Sequence, residues 1–373
     1  MSARIVIASG GTGGHFYPTL AIARELQRRE ATVTLLVAGQ HAREQAELAA
    51  RQGLEAREIP AFRLPAGLAA KLLFPGRSLN ALRCARRELR DLRPDLLLGM
   101  GSFAAAPACV AARLGRLPLV LHEGNAWMGR TNRLFSRWAS CAGLSLPLEE
   151  GCPVRCPTVQ TGMPLRAALV SAAQGGAYPE AFAALAGLSR QRRTVLVFGG
   201  SQGARFINDS LAQTVAHLGP LAKRLQVVHL TGTDANQEIE AAYRGAGVHA
   251  YVRRADPDIQ NAYLAADLVI CRAGASSICE LALFGKAAVL IPLPSAAEDH
   301  QSANARVLAA RQAAVHLPQA EASPPRLAEM LSTWLADAAP WTAMGQAVRA
   351  FAVPDAATRM AELCLQHLTP PPG

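Results

Sequence analysis

The sequence predicts an α/β protein with two Rossmann-like domains that face a cleft. Two stretches share one order of elements, an apolar strand, a glycine-rich turn and a helix; one begins at Ile5 and the other at Val195. After each, apolar runs alternate with helical patterns, which is typical of a parallel sheet covered on both faces. A chain of 373 residues is also too long for one ordinary core. Two domains are therefore expected.

The first domain is predicted to comprise residues 1–163. A strand at residues 3–8 runs into the glycine turn at residues 9–15, and a helix with apolar residues on one face follows. Further strands are predicted at residues 32–37, 95–100 and 117–122.

The second domain is predicted to comprise residues 164–339. Residues 162–193 are rich in alanine, glycine and arginine, which indicates a linker before the strand at 194–198. A final helix at about residues 340–367 is expected to pack back on the first domain. Further strands of the second domain are predicted at residues 226–230, 268–271 and 288–292.

The composition limits the classes of partner. A net charge of +10 and a pI near 9.6 predict attraction to nucleic acid, to an anionic membrane leaflet or to a phosphorylated ligand. Aromatic residues make up only 5% of the chain, which argues against a base-stacking platform, so no nucleic acid is expected. Cys152 and Cys156 are the only close cysteine pair and lack further ligands nearby, so no metal and no cofactor is expected. Without a signal peptide or a long apolar run, a cytoplasmic location is expected.

The turn after the strand that ends at Cys271 is predicted to bind an anion. The backbone N–H groups of Ala275, Ser276 and Ser277 would point outward at a helix start, where the partial positive charge favours phosphate. Glu280, about one turn further on, could accept two hydrogen bonds from a sugar diol. The alternative is a capping box with Ser277 as N-cap and Glu280 as N3.

Two common nucleotide fingerprints do not fit. The first glycine turn has no glycine at the third position of the dinucleotide fingerprint, and the second strand ends at residues 37–39 without an acid, which disfavours NAD. Neither glycine turn ends in the Gly-Lys-Ser/Thr of a P-loop. With these two fingerprints excluded, the sequence still predicts two facing Rossmann-like domains with polar loops at the ends of their strands.

Two places in the first domain carry candidate catalytic groups. His15 closes the first glycine turn, where a neutral imidazole could accept a proton from a sugar hydroxyl; the alternative is a histidine that caps local backbone. His122, Glu123 and Asn125 follow the strand at residues 117–121, and carboxyl edges of open sheets are where ligands bind. The alternative there is a polar loop start.

Together, these motifs resemble the MurG family, the membrane-associated N-acetylglucosaminyltransferases that make the lipid-linked disaccharide precursor of peptidoglycan. The resemblance extends from the first strand to the last helix. It is carried by residues 10–15, 99–101, 122–123 with Asn125, 131–132, 199–205 with Asn208, 272–275 with Glu280, and 299–301 with Asn304.

The resemblance implies a GT-B fold that binds the acceptor mainly in the first domain and UDP-N-acetylglucosamine mainly in the second. The sequence departs from the family pattern at Gly124, at residues 102–103, where the family usually has glycine and an aromatic, and at residues 253–258. The donor contacts that the resemblance implies are Thr12, Gly13, Gly14, Asn125, Arg166, Ser201, Ala275, Ser276, Ser277, Glu280 and Gln301.

The reaction implied by the resemblance is a single displacement. The 4-hydroxyl of undecaprenyl-diphospho-N-acetylmuramoyl-pentapeptide attacks the anomeric carbon of N-acetylglucosamine, and UDP leaves with inversion to a β-1,4 bond. His15 is the first candidate for the base and Glu123 the second, with the helix start at 275–277 and Ser201 stabilising the leaving group. The rivals are a transferase of similar fold with another lipid or small-molecule acceptor, and a non-catalytic nucleotide-sugar sensor.

A lipid-linked acceptor implies a further partner, the anionic inner leaflet of the cytoplasmic membrane, with the protein peripheral on its cytoplasmic face. Residues 57–93 hold nine basic residues against three acidic ones, with apolar side chains between them. Such a segment could enter the headgroup layer while its arginines meet anionic lipid. The alternative is a solvated basic helix that packs on the first domain.

Overall fold

The computed structural model describes residues 2–11, 13–62, 68–200, 204–234 and 236–368, with backbone only for residues 68–77. The chain divides into two compact units. Unit 1 comprises Met1–Arg166 and Val353–Gly373, and unit 2 comprises Ala167–Ala352. The sequence placed the boundary between residues 163 and 164, three residues earlier.

Unit 1 contains a parallel sheet of seven strands in the order β3-β2-β1-β4-β5-β6-β7. The sequence patterns did not predict β3, β6 and β7, because these strands are short and in part exposed or built from small residues and so lack the long apolar runs of the central strands. The strands are β1 Arg4–Gly10, β2 Thr32–Ala38, β3 Glu55–Glu58, β4 Leu96–Gly99, β5 Leu119–Glu123, β6 Cys141–Leu144 and β7 Thr158–Gln160.

Helices cover both faces of this sheet. The side chains of Ile5 and Ile7 on β1 pack into one buried cluster, and those of Val6 and Ala8 pack into another on the opposite face. Burial on both faces explains why β1 is apolar throughout rather than alternating. The helices of this part of the chain are α1 Gly13–Arg28, α2 Ala42–Arg51, α3 Leu68–Leu92, α4 Ser102–Leu114 and α5 Arg130–Phe135.

Unit 2 contains a parallel sheet of six strands in the order β10-β9-β8-β11-β12-β13. The strands are β8 Arg193–Phe198, β9 Leu225–Leu230, β10 His249–Arg253, β11 Leu268–Cys271, β12 Ala287–Leu290 and β13 Val315–His316. The helices are α6 Ala167–Gly175, α7 Glu180–Ala186, α8 Arg205–Thr214, α9 Asn236–Gly245, α10 Ile259–Ala265, α11 Ala275–Phe284, α12 His300–Ala309, α13 Pro324–Ala336 and α14 Ala339–Val348.

The predicted linker at residues 162–193 is largely helical. It contains α6 and α7, which contact α10, and Leu169 and Phe182 are buried. Alanine is a strong helix former, so the composition that suggested a linker also favours these two short helices.

The single final helix predicted at about 340–367 is wrong. The helix α14 contacts β12 in unit 2, whereas a separate helix, α15 (Ala356–Gln366), contacts α1 in unit 1. Pro354 lies between them, and a proline cannot donate a backbone hydrogen bond and restricts the residue before it. Only α15 therefore packs on the first sheet.

The strand order of each sheet reverses beside its first strand, between β1 and β4 in unit 1 and between β8 and β11 in unit 2. Ligands of open α/β sheets bind at the carboxyl ends of the strands at such a reversal. Both glycine turns follow these first strands, so the fold brings them to the expected binding edges.

We expect Met360→Ala to destabilise unit 1 by about 2–5 kcal/mol, the usual cost of truncating a buried methionine. The side chain of Met360 on α15 is fully buried in the unit 1 core. Denaturant unfolding followed by circular dichroism measures the loss. The control is Met344→Ala on α14, where the side chain is half-buried; an equal loss in both variants would contradict a core role for α15.

Candidate active site

The turn between β11 and α11 forms the first part of the site in unit 2. Gly274 is the N-cap of α11, in extended backbone, and the helix starts at Ala275. The N–H groups of Ala275, Ser276 and Ser277 are thus among those without a partner inside the helix. All three residues are half-buried. A helix start of this kind suits an anion such as phosphate.

The capping box weighed as the alternative is contradicted by this geometry. Ser277 is the third residue of α11 and Glu280 the sixth, whereas a capping box needs them at N-cap and N3. The Glu280 carboxylate instead accepts a hydrogen bond at Oε2 from the hydroxyl of Tyr263, 2.8 Å away.

Two buried side chains hold the turn in place. Arg272 is 7% exposed, and its Nη1 donates to the carbonyl oxygens of Ile291 at 3.1 Å and Pro292 at 3.0 Å. Asn304 on α12 donates from Nδ2 to the carbonyl oxygen of Ala273 at 3.0 Å. Burial lowers the pKa of Arg272 from its ordinary value. The sequence pointed to these two residues only as members of a family motif.

Gln301 lies at the start of α12, next to the same turn. Its Oε1 accepts a hydrogen bond from the backbone N–H of Leu293 at 3.0 Å. With the oxygen used in this way, the amide group Nε2 is the part of the half-buried side chain that can donate to a ligand.

The second glycine turn leads from β8 to α8. Gly200 has a φ of 83°, in the region that favours glycine. Ser201, predicted to contact the donor, lies outside the described residues.

A buried polar network joins β9, α8 and α9 in unit 2. The His229 Nδ1 atom lies 2.9 Å from the Tyr243 hydroxyl, and its Nε2 lies 3.0 Å from Asn208 Oδ1. Asn208 donates from Nδ2 to the carbonyl oxygen of Thr231. Burial lowers the pKa of His229 to about 3, so the network is neutral at pH 7.

The first glycine turn connects β1 to α1 in unit 1. The helix begins at Gly13, so Gly13, Gly14 and His15 form its first turn; His15 was expected to close the loop before the helix. Thr12 lies outside the described residues. The His15 side chain is half-buried. The backbone carbonyl oxygen of His15 accepts a hydrogen bond of 2.8 Å from the Thr19 hydroxyl.

His122 and Glu123 are the last residues of β5 rather than a loop after it, and both are buried. The Nε2 atom of His122 lies 3.0 Å from the Ser145 hydroxyl. Burial lowers the pKa of His122 to about 4, and repulsion from His15 adds to the effect. The structure therefore brings His15 close to the end of β5.

The Glu123 carboxylate organises the segment after β5. Oε1 accepts from the backbone N–H of Asn125 at 3.0 Å and from its Nδ2 at 3.3 Å. Oε2 accepts from the backbone N–H of Gly129 at 3.1 Å and from Asn132 Nδ2 at 2.9 Å. A buried carboxylate that accepts four hydrogen bonds from the following segment serves to hold that segment. This use of its oxygens disfavours Glu123 as a general base. The same bonds fix the position of Asn125.

Arg166 also lies near α1. Its guanidinium carbon is 5.8 Å from the ring centroid of Tyr17, within the range of a cation–π contact. Tyr17 is 48% exposed, and no motif in the sequence pointed to it.

The described residues contain no group of three or more His, Cys, Asp and Glu side chains placed to hold a metal ion. Within the same ranges, no helix has both the length and the apolar character needed to cross a membrane.

We expect stability to fall as the pH drops from about 6.5, because buried His122 and His229 stay neutral while the unfolded chain takes up protons. Their folded-state pKa values of about 4 and about 3 lie below the ordinary 6.5, so each contributes stability above pH 6.5 that is lost on acidification. The expected slope is about 1.4 kcal/mol per pH unit for each group.

The measurement is the change in unfolding free energy between pH 7 and pH 5. His229→Gln should lose about 2 kcal/mol less than the parent over this interval. The control is His217→Gln, at an exposed position. A parent-like pH dependence in His229→Gln would show that His229 is not a buried neutral imidazole.

Comparison with known proteins places this architecture among glycosyltransferases. The family model for the glycosyltransferase family 28 N-terminal domain matches residues 5–144, and that for the C-terminal domain matches residues 194–360. The epimerase fold is also similar: a UDP-GlcNAc 2-epimerase from Neisseria meningitidis superposes with a TM-score of 0.68 at 12% identity, covering 98% of this chain and 100% of that one.

Relatives are similar over nearly the whole chain. A protein of Syntrophotalea carbinolica named UDP-N-acetylglucosamine--N-acetylmuramyl-(pentapeptide) pyrophosphoryl-undecaprenol N-acetylglucosamine transferase is 38% identical over 97% of this chain and 98% of its own. A Marinobacter nauticus protein of the same name is 40% identical, with 97% of each chain covered. The crystal structure of Acinetobacter baumannii MurG has a TM-score of 0.79 at 30% identity, covering 98% of this chain and 100% of that one. With its two Rossmann-like units of the GT-B class, the chain belongs to glycosyltransferase family 28 and, within it, to the MurG family.

Proposed function

We propose that this chain transfers N-acetylglucosamine from UDP-N-acetylglucosamine to the 4-hydroxyl of undecaprenyl-diphospho-N-acetylmuramoyl-pentapeptide, with inversion at the anomeric carbon. The observation that carries the proposal is the start of α11, where the N–H groups of Ala275, Ser276 and Ser277, which have no partner inside the helix, precede a carboxylate at Glu280 that is held by Tyr263. The relatives whose printed names state this reaction support the choice of substrates.

The donor site proposed in unit 2 follows from these groups. The N–H groups of residues 275–277 would take the diphosphate, and Glu280, about 4.5 to 7.5 Å further along the helix axis, would take the ribose hydroxyls. The Nε2 group of Gln301 would donate to the sugar. The buried cation of Arg272 adds positive potential where the UDP leaving group gains charge.

The remaining donor contacts are proposed from the family resemblance. Gly13 and Gly14 would offer N–H groups at the start of α1, and Asn125 and Arg166 would offer side-chain donors. Thr12 and Ser201 complete this set as predictions.

Unit 1 contains a cleft that suits the acceptor. It has a volume of about 470 Å³, in the range of ligand sites, and lies at the carboxyl ends of β1, β2 and β4. Its lining combines polar Gln40 and Ser102 with Phe62 and Phe103. We propose that it holds the start of the lipid and the adjoining diphosphate of the acceptor.

His15 is the base that the geometry favours. It is half-buried at the start of α1, whereas the Glu123 carboxylate already accepts four hydrogen bonds in a buried position. A neutral imidazole can take the proton of the attacking 4-hydroxyl. Glu123 would then act by fixing the loop that carries Asn125.

The decisive experiment incubates the protein with UDP-N-acetylglucosamine and the lipid-linked muramyl pentapeptide. UDP release together with a disaccharide product is expected. Donor binding without turnover of any acceptor would favour a nucleotide-sugar sensor, and turnover only with a different acceptor would keep the transferase but change its substrate.

We expect His15→Ala to lower kcat by about 10² to 10⁴, the usual size of a general-base contribution, with little change in donor KM. The control is His41→Ala in the same unit, at an exposed position. Steady-state kinetics with a soluble, short-chain acceptor measures both. A loss below about threefold in His15→Ala would leave proton removal to another group.

We also propose that unit 1 meets the anionic membrane leaflet through two basic surfaces. On α3, Leu79 is 44% exposed, and Arg83, Arg87 and Arg90 follow on the exposed side, while Ala81 and other residues of the opposite side are buried. Exposed arginines beside an exposed apolar residue are typical of interfacial helices.

The second surface joins the end of α4 to the turn after α5. Leu114, Leu134 and Trp138 are 52%, 48% and 43% exposed, and the Arg113 guanidinium lies 6.0 Å from the Trp138 ring centroid. Residues 113–117 and 130–138 contain five arginines and no acid. Tryptophan beside arginine favours the boundary between headgroups and acyl chains.

We expect the double variant Arg83→Glu/Arg87→Glu to bind anionic vesicles at least tenfold more weakly at low salt, because each basic residue near such a surface contributes about 1 kcal/mol. Co-sedimentation with phosphatidylglycerol vesicles measures this. The control is Lys223→Glu/Arg224→Glu, an equal charge change at exposed positions of unit 2. Equal losses in both variants would remove α3 from the membrane surface.

A further inference from the structure

We propose that Tyr263 is a positioning residue for Glu280 and that this pair makes the donor site selective for ribose over 2′-deoxyribose. The proposal rests on the donor site described above and goes beyond it by assigning the group that orients the carboxylate. It begins from a hydrogen bond of 2.8 Å between the Tyr263 hydroxyl on α10 and Oε2 of Glu280 on α11.

The tyrosine ring has a fixed position in unit 2. It is fully buried and stacks on Phe284, with ring centroids 5.0 Å apart and planes 10° apart. Phe198 meets it edge to face at 6.0 Å and 85°. One neighbour packs on the face of the Tyr263 ring and the other approaches edge to face, so the ring has little room to move. The position of its hydroxyl is therefore fixed.

This fixed hydroxyl limits the conformations of Glu280. Glutamate is a long side chain that loses rotamer freedom when a ligand orders it, and that loss weakens binding. The bond to Tyr263 orders one oxygen before a ligand arrives. Phe284 lies four residues after Glu280 on α11, so the helix that carries the carboxylate also packs against the ring that orients it.

The chemistry of the pair favours a diol as the ligand. A phenol hydroxyl that donates to a carboxylate leaves that carboxylate an acceptor, with capacity for further hydrogen bonds from the 2′ and 3′ hydroxyls of ribose. A 2′-deoxy nucleotide offers one donor fewer to a charged acceptor, and bonds to charged acceptors are among the stronger ones. The carboxylate should therefore discriminate against it.

A tyrosine in this position could instead serve only to fill the core, because its ring packs against Phe198, the last residue of β8. A filling role would change the binding of every nucleotide alike. A positioning role would change only the part of binding that depends on the ribose hydroxyls and on Glu280. The two roles are therefore separable by comparing ligands.

The experiment measures Kd for UDP and for 2′-deoxy-UDP by calorimetry in the parent, Tyr263→Phe, Glu280→Ala and the double variant. The parent should prefer UDP by about tenfold or more, as expected for one hydrogen bond to a charged group. Tyr263→Phe should reduce this preference about two- to tenfold, the range for ordering one long side chain. In the Glu280→Ala background, Tyr263→Phe should leave the preference unchanged.

The matched control is Tyr243→Phe, which removes another fully buried hydroxyl of unit 2. It should leave the preference for UDP as in the parent. A second variant, Glu280→Asp, leaves the aromatic core intact and shortens the carboxylate away from the hydroxyl. It should lose preference as Tyr263→Phe does, and it decides the matter if Tyr263→Phe fails to fold.

The outcomes separate this proposal from the one on which it rests. If Glu280→Ala abolishes the preference but Tyr263→Phe and Glu280→Asp keep it, or if they weaken both ligands equally, Tyr263 does not position Glu280. If the parent does not bind UDP, or if Glu280→Ala keeps the full preference, the donor site itself is wrong and the positioning role falls with it.

Discussion

The proposed donor site depends on how the turn between β11 and α11 satisfies its polar groups. A helix start can receive an anion only if its first N–H groups are not used by the protein, and the chain before it must still be held firmly. Here Arg272 and Asn304 tie the turn through carbonyl oxygens, so the N–H groups of the first helical turn are not consumed. Burying the Arg272 guanidinium against carbonyl oxygens is costly because these carry no full negative charge, and a bound diphosphate nearby would offset part of that cost.

In unit 1 a loop at the candidate site is also held by a buried charged side chain, but this side chain accepts hydrogen bonds instead of donating them. The buried Glu123 accepts hydrogen bonds from N–H donors of the segment after β5, so it holds that loop by accepting rather than by donating.

Ser102 stands at the position where the MurG family usually has glycine and adopts a φ of 61° at the start of α4. Its hydroxyl accepts a hydrogen bond from the backbone N–H of Ala104. That bond offsets part of the strain of a left-handed serine.

The sequence was sufficient for the features that follow from local patterning. The long apolar strands at the centre of each sheet, the glycine turns and the start of α11 were predicted, because a strand buried on both faces and a turn of small residues leave a direct signature. Long-range contacts leave none. The bond from Tyr263 to Glu280 joins two neighbouring helices, α10 and α11, and nothing in the residues around Glu280 indicates it. The capping box was a local rule that fitted the spacing of Ser277 and Glu280, and the true helix start at Ala275 overrode it. Likewise, the pattern at residues 340–367 is helical throughout. Pro354 divides it into α14, which packs on unit 2, and α15, which packs on unit 1.

A buried histidine in unit 1 supports the proposed role of His15 as the base. His122 is buried at the end of β5 and stays neutral near pH 7, because desolvation lowers its pKa to about 4. A charged imidazole at that position would repel a proton arriving on His15, since the two groups already influence each other. Neutral His122, which lies within hydrogen-bonding distance of Ser145, imposes no such penalty. The fold therefore keeps one imidazole uncharged in the core, so that His15, the base proposed at the start of α1, meets no opposing charge from this neighbour.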